Sequence, residues 1–73
     1  MQNIEFTLNQ GEEYIQLIQM LKATNCVMTG GEAQQVVLEG LVKHNGEIDL
    51  RKRAKCYPGD VIDFEQIHIT IKG

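Results

Sequence analysis

The chain has 73 residues and a formal net charge of −3, with two cysteines, one proline and no tryptophan. This length predicts a single domain, residues 1–73, with a small core, because domains of about 60 residues bury only about 60% of the surface that the unfolded chain exposes. A large enzyme with a deep substrate cleft is therefore not expected. The sequence has no apolar run of the ~20 residues that a membrane span needs and no signal peptide at its start, which predicts a cytoplasmic protein.

Residues that could support catalysis or bind a metal are few. Cys26, Cys56, His44 and His68 are the only soft metal ligands, and their spacing fits no zinc pattern. Two cysteines are too few for a disulfide scaffold, and we expect them to be reduced thiols. The sequence suggests no grouping of a nucleophile with a base and an acid. These observations predict a protein that is not an enzyme and that has no metal and no cofactor.

The first third of the chain predicts a strand followed by a helix. Residues 4–8 alternate apolar and polar side chains, as a half-buried strand does. Asn9 and Glu12 have the spacing of a capping box, which predicts that a helix begins there and ends at Thr24 and Asn25. The buried stripe of this helix is predicted to hold four residues with helical spacing: Tyr14, Leu17, Ile18 and Leu21.

A second, short helix is predicted to begin after Thr29. Thr29 and Glu32 form a T-x-x-E capping box, and Gly40 stands where a C-terminal glycine cap belongs. This helix has about ten residues, so it depends on packing against the first helix. Gly30-Gly31 fits two compatible interpretations: the glycines make a tight turn between the helices, or they present free N–H groups to a phosphate.

The dipeptide Asn45-Gly46 predicts a hairpin whose register the sequence leaves open. A two-residue loop would place Lys43 opposite Ile48. A three-residue loop, with Gly46 in a bulge, would place Val42 opposite Ile48. We prefer the second register because it pairs two apolar side chains.

The last third of the chain predicts two further strands after a turn. Residues 57–60 have Pro and Gly in the positions that a type II turn requires. Residues 61–65 and 67–72 have strand patterns, and the last strand could pair with the first. The order strand, helix, helix and then short strands predicts an α+β fold, with the helix pair packed on a small, mainly antiparallel sheet of four to five short strands.

Positive charge is concentrated in one segment of the chain. Residues 41–57 contain five of the seven Lys and Arg residues and only two carboxylates, for a net charge of +3, whereas the rest of the chain carries −6. This asymmetry predicts one local site for a polyanion, although charge alone also fits a solvated loop. If the segment is extended, Arg51, Arg53 and Lys55 point to one side and Lys52 points to the other.

The aromatic residues and His44 are assigned to ordinary structural positions. Tyr14 is predicted to lie in the core. Tyr57 could stack on a base, but aromatic residues make up only 5% of the chain, so no stacking platform is evident. His44 is interpreted as a half-exposed strand residue.

Five short motifs follow one another in the chain: Thr29-Gly30-Gly31-Glu32-Ala33, Glu39-Gly40-Leu41-Val42-Lys43, Asn45-Gly46-Glu47, Arg51-Lys52-Arg53-Ala54-Lys55 and Gly59-Asp60. Their order and spacing, in a match over roughly residues 12–65, resemble the RNA-binding domain of ribosomal protein S-four, and most of all its short, stand-alone bacterial members. The resemblance implies the two-helix unit called the alpha-L motif, and a non-enzymatic protein that recognises structured RNA, either ribosomal or transfer RNA, with association with the ribosome.

By this resemblance, the surface that faces RNA is the start and exposed side of the second helix together with the basic residues after it. The family usually has Lys at the position of Gln34, so this chain lacks one expected phosphate contact. The family also usually has an aliphatic residue at the position of His44. The predicted RNA-binding residues, with Lys52 added from the basic run, are Thr29, Gly30, Gln34, Lys43, Asn45, Arg51, Lys52, Arg53 and Lys55.

The sequence also bears on two other functions. Binding of duplex DNA by the helix pair is disfavoured, because the second helix has no Lys or Arg to enter the major groove. The alternative function is a protein-interaction adaptor that keeps the same fold and has weak or lost RNA binding. No membrane partner is expected.

Overall fold

Two helices and seven short strands make up the fold in the computed structural model, which describes residues 2–73. The α+β class predicted from the sequence is confirmed. In chain order the elements are β1 (Gln2–Thr7), β2 (Ile15–Gln16), α1 (Leu17–Ala23), α2 (Gly30–Leu38), β3 (Val42–His44), β4 (Glu47–Ile48), β5 (Lys55–Cys56), β6 (Val61–Phe64) and β7 (Ile67–Lys72).

Five of the strands form one sheet in the order β1-β7-β6-β3-β4, and β2 pairs with β5 in a separate ladder. The first and last strands are neighbours, as the sequence suggested, and they run parallel, with Ile4 opposite Ile69. The other three pairs of the large sheet are antiparallel, and Ile62 lies opposite Ile69 in the centre. The prediction of a small, mainly antiparallel sheet is therefore confirmed.

The core lies between the helices and one face of the large sheet. Burying each large aliphatic side chain contributes about 1.5–3 kcal/mol, so this layer is the main source of stability. None of the helices among residues 2–73 is long and apolar enough to cross a membrane. The side chains that are fully buried or nearly so include Leu17, Met20 and Leu21 from α1, Ala33 and Val37 from α2, and Ile62, Ile69 and Ile71 from the sheet.

The predicted start of the first helix is wrong. Asn9 and Glu12 do bond to each other, since Glu12 Oε1 accepts from the Asn9 N–H at 2.8 Å and the Asn9 carbonyl accepts from the Glu12 N–H at 3.0 Å. This closes a turn, because Gly11 has a φ of +91° that a helix does not allow. The chain then forms β2 before α1 begins at Leu17, so Tyr14 lies outside the helix.

A sequence-distant loop, not a side chain, caps the N-terminus of α1. Gln16 makes no side-chain cap. The Leu17 N–H donates to the carbonyl of Ala54 at 2.8 Å, and the Ile18 N–H donates to the carbonyl of Lys52 at 3.2 Å. Two of the free N–H groups of the first helical turn are thus satisfied by main-chain carbonyls.

The second helix follows its sequence signals closely. Thr29 Oγ1 accepts from the Glu32 N–H at 3.1 Å, and the Glu32 carboxylate accepts from the Met28 N–H at 2.8 Å. At the other end, Gly40 has a φ of +74°, and its N–H donates to the Val37 carbonyl at 3.1 Å. The predicted start and glycine cap of this helix are confirmed.

The preferred register of the hairpin is wrong, and the two-residue loop is the observed one. Lys43 lies opposite Ile48, and His44 lies opposite Glu47. Asn45 and Gly46 both have positive φ, 55° and 87°, which is the geometry of a type I′ turn and matches the twist of the strands. Local turn geometry therefore outweighs an apolar cross-strand pair, and it leaves Ile48 largely exposed.

The predicted turn at residues 57–60 is confirmed. The Asp60 N–H donates to the Tyr57 carbonyl at 2.9 Å, and Gly59 has a φ of +95°. A positive φ at the third residue of the turn, directly after Pro58, is what a type II turn requires.

Substitution of two glycines, one at each end of α2, tests which backbone conformations this helix requires. Gly40→Ala should lower the free energy of unfolding by about 1 kcal/mol, because an L-residue is strained at this φ. A Cβ at this position would lie 3.6 Å from Ile48, an ordinary contact, so the cost is in the backbone. The control is Gly31→Ala, which should raise stability by roughly 0.5 kcal/mol, because it replaces a helical glycine where a Cβ would meet only Thr29 Oγ1, at an ordinary contact distance of 3.9 Å. Urea unfolding measures the change in the free energy of unfolding for both variants. Equal effects of the two substitutions would contradict the backbone strain assigned to position 40.

Candidate nucleic-acid interface

The basic run forms a tight turn, here called the basic loop (residues 51–55). The Ala54 N–H donates to the Arg51 carbonyl at 3.0 Å, so the segment is not extended over its first four residues. The alternation of side chains to two sides depends on an extended segment, and this condition does not hold for residues 51–54. The turn directs the carbonyls of Lys52 and Ala54 to α1, while the Lys52 and Arg53 side chains remain exposed.

The side chains of the basic loop line one open surface depression. Lys52, Arg53 and Lys55 form no salt bridge with any of residues 2–73. Three cations are therefore available to an anionic ligand in one place. The residues that line the depression are Arg51, Lys52, Arg53, Ala54, Lys55 and Tyr57.

Arg51 has a partner within the protein. Its guanidinium donates to both carboxylate oxygens of Asp49 at 3.1 Å, and its main-chain N–H donates to Asp49 Oδ1 at 2.9 Å. Asp49 is only 7% exposed. The hydrogen bonds from Arg51, supported by one from His44, outweigh burial and hold the pKa of Asp49 at about 2. Arg51 thus neutralises a buried carboxylate, and its charge is not free in the way that the sequence suggested.

His44 connects the hairpin to the two segments that follow it. Its Nδ1 lies 3.1 Å from Asp49 Oδ2, and its Nε2 lies 2.9 Å from Asp60 Oδ2. Only the imidazolium form can donate from both nitrogens at once. The ring is mostly buried, with 12% of the side chain exposed, so the interpretation of His44 as a plain half-exposed strand residue misses its role as a bridge.

Asp60 and Asn45 complete this polar cluster. Asp60 accepts from the Tyr57 N–H at 2.9 Å and from Asn45 Nδ2 at 3.2 Å. Burial alone would raise the pKa of Asp60, but hydrogen bonds from Tyr57, His44 and Asn45 outweigh it and keep the pKa below its usual value. Asn45 Oδ1 also accepts from the Val61 N–H at 2.8 Å, which gives Asn45 a structural role in the turn.

Two tyrosines meet beside the basic loop. The ring centroids of Tyr14 and Tyr57 are 5.8 Å apart with an interplanar angle of 51°, a favourable tilted pair. Lys55 Nζ lies 5.0 Å from the centroid of the Tyr14 ring, within the range of a cation–π contact. The wrong helix start concealed this cluster, because it assigned Tyr14 to the helical core. The pairing of β2 with β5 brings Tyr14 to the loop.

The remaining predicted site residues lie outside the lining of this depression. Thr29 caps α2, Gly30 is its first residue and Gln34 lies half-buried along it. Lys43 is exposed on β3, and strand alternation puts it on the opposite face from His44. None of these four residues lines the depression formed by the basic loop.

Other chemistry receives little support among residues 2–73. No group of three or more His, Cys, Asp and Glu side chains in this part of the chain could hold a metal ion. Burial raises the pKa of the Cys56 thiol to about 12, which keeps it protonated and unreactive. The arrangement is suited to binding an anion at the surface.

The chain belongs to the S4 domain family, whose pattern matches residues 6–72. It is similar to the solution structure of YbcJ from E. coli, which is described as revealing an αL motif involved in RNA binding. The two structures superpose with a TM-score of 0.70 at 26% sequence identity, over 94% of this chain and 86% of YbcJ. No curated protein sequence matches the chain. The resemblance to the S-four type domain with its alpha-L motif is confirmed.

The low pKa of Asp49 leads to a pH-dependent prediction. Its pKa is about 2 in the folded protein and 3.8 ordinarily, so the ionised carboxylate stabilises the fold above pH 3.8, and this contribution is lost as the pH falls toward 2. Asp49→Asn should lower the free energy of unfolding by about 2 kcal/mol at pH 7 and by much less near pH 2.

Denaturant unfolding at a series of pH values measures this difference. Glu13→Gln, which removes an exposed carboxylate, controls for the change in net charge. If the free energies of unfolding of Asp49→Asn and the native protein differ by the same amount from pH 7 to pH 2, the role assigned to Asp49 is contradicted.

Proposed function

We propose that the protein is a non-enzymatic RNA-binding module that recognises structured RNA through the basic loop. The observation that carries this proposal is the group of three exposed cations, Lys52, Arg53 and Lys55, on a loop whose main chain is fixed to α1. Membership of the S4 domain family and the description of YbcJ support RNA as the ligand. Ribosomal or transfer RNA is the class that we propose.

Phosphate contacts supply most of the affinity in this proposal. Arg53 offers a planar fork that can bind two phosphate oxygens, whereas Lys52 and Lys55 act as point charges. A-form RNA has a deep, narrow major groove that side chains cannot read, so a loop of this kind recognises shape and phosphate position. Weak sequence specificity is expected.

The start of α2 is a second contact in the proposal. Gly30 and Gly31 have no positive φ, and a Cβ at Gly30 would meet nothing within 4 Å. The fold itself therefore does not require glycine at position 30. A close approach of the RNA backbone to the first N–H groups of α2 would require glycine there. Gln34, one turn further on, offers a neutral hydrogen bond in place of a charge.

A protein-interaction adaptor is the second candidate, and exposed apolar side chains favour it. Ile48 and Leu50 are 58% and 55% exposed, and both lie close to Gly40 at the end of α2. Leu41, next in the chain, is 48% exposed. These three side chains offer a small apolar surface that the RNA proposal does not use.

Removal of two charges from the basic loop tests the RNA proposal. Lys52→Gln/Arg53→Gln should weaken binding to transfer RNA and to ribosomal RNA hairpins by tenfold or more, roughly, and should make the slope of log affinity against log salt less negative by about 2. Arg51 is left intact, because its loss would leave the buried Asp49 carboxylate unpaired. Fluorescence anisotropy at several salt concentrations measures both quantities.

The matched control, Lys22→Gln/Lys72→Gln, removes the same charge from exposed positions outside the basic loop. It should bind RNA nearly as the native protein does. Equal weakening by the two double variants would show a diffuse charge effect and contradict a local site. Absence of RNA binding by the native protein, together with stable capture of a protein partner that Ile48→Asp abolishes, would favour the adaptor.

A further inference from the structure

We propose that Tyr57 is a stacking platform for an unpaired base, so that the RNA ligand is a helix interrupted or ended by an unstacked nucleotide. This inference rests on the proposed RNA-binding function and deepens it by naming the ligand class. The sequence raises the possibility that Tyr57 stacks on a base, but it does not show that a second ring supports Tyr57.

The Tyr57 ring is exposed and is supported by contact with a second aromatic ring. It is 45% exposed, and Tyr14 packs against it at 5.8 Å between centroids. Lys55 occupies part of the Tyr14 surface, so Tyr14 is the supporting ring and Tyr57 is the presented one. A supported ring loses little freedom on binding, which favours stacking.

The main chain around Tyr57 is also fixed. Cys56, the preceding residue, is fully buried, and the Tyr57 N–H donates to Asp60 at 2.9 Å. Pro58 follows and restricts the backbone further. Asp60 is in turn bonded to His44, so the position of the ring is coupled to the polar cluster beneath the basic loop.

The surroundings of Tyr57 fit a nucleotide better than an apolar peptide. The ring shares one depression with Lys52, Arg53 and Lys55. A nucleotide brings a flat aromatic base and a phosphate in one unit, which matches a ring beside cations. A continuous duplex keeps its bases stacked inside, so only a bulged, looped or terminal nucleotide can reach Tyr57.

Two RNAs and three proteins test this inference. The RNAs are a short duplex and the same duplex with one unpaired 2-aminopurine, a fluorescent base that is quenched on stacking. The native protein should bind the bulged RNA about tenfold or more tightly than the plain duplex and should quench the probe. Tyr57→Ala should lose the preference and the quenching while it keeps the affinity for the plain duplex. Tyr57→Phe should retain both, because no hydrogen bond to the Tyr57 hydroxyl is present among residues 2–73.

If Tyr57→Ala unfolds, Tyr57→Leu takes its place, because leucine keeps apolar volume without an aromatic ring. Tyr57→Leu should also lose the preference for the bulged RNA. Equal binding of the two RNAs by the native protein, or equal weakening of both by Tyr57→Ala, would overturn the inference and leave the proposed function standing. Failure of the native protein to bind either RNA would overturn the proposed function as well.

Discussion

Burial of the Asp49 carboxylate is the constraint on which the candidate interface depends. An ionised carboxylate removed from water is costly unless it is paired and hydrogen-bonded. Its partners come from two directions, the His44 imidazole on β3 and the Arg51 guanidinium and N–H at the start of the basic loop. Satisfying Asp49 therefore fixes the path by which the loop leaves the hairpin. Lys52, Arg53 and Lys55 follow this paired arginine on a loop whose carbonyls are bonded to α1.

The basic loop divides its structural contacts and its exposed charges between main chain and side chains. Its carbonyls at Lys52 and Ala54 accept from the first N–H groups of α1, whereas the side chains of Lys52 and Arg53 take no part in that contact. The consequence is that changes to these two side chains alter surface charge and leave the cap of α1 intact. Arg51 does not have this freedom, because both its side chain and its N–H hold Asp49. Substitution within one short run thus has different consequences at neighbouring positions.

Sequence patterns predicted those parts of the fold that depend on neighbouring residues. The capping box at Thr29, the glycine cap at Gly40 and the turn at residues 57–60 are local, and each was correct. The start of α1 was missed because carbonyls distant in sequence replace a capping side chain there. The hairpin register was missed because positive φ at residues 45–46, and the bond from His44 to Asp49 that the tight turn permits, outweigh the apolar pair. No pattern of neighbouring residues anticipates the distant cap of α1. The tight turn is a local property of Asn45-Gly46, and the preferred register is wrong because it gives more weight to the apolar pair than to that turn.

The charge count of the sequence predicts more free cations at the candidate site than the structure leaves unpaired. Of the five cations in residues 41–57, Lys43 lies apart on β3 and Arg51 is bound to Asp49, so three remain together. Three phosphate contacts give only modest affinity at physiological salt, and the acidic remainder of the chain opposes association elsewhere on its surface. A protein with so few free cations needs a second source of binding free energy if it is to select one RNA among many. An aromatic ring supplies a contribution that salt does not screen, and the ring of Tyr57 is the exposed aromatic surface beside those cations.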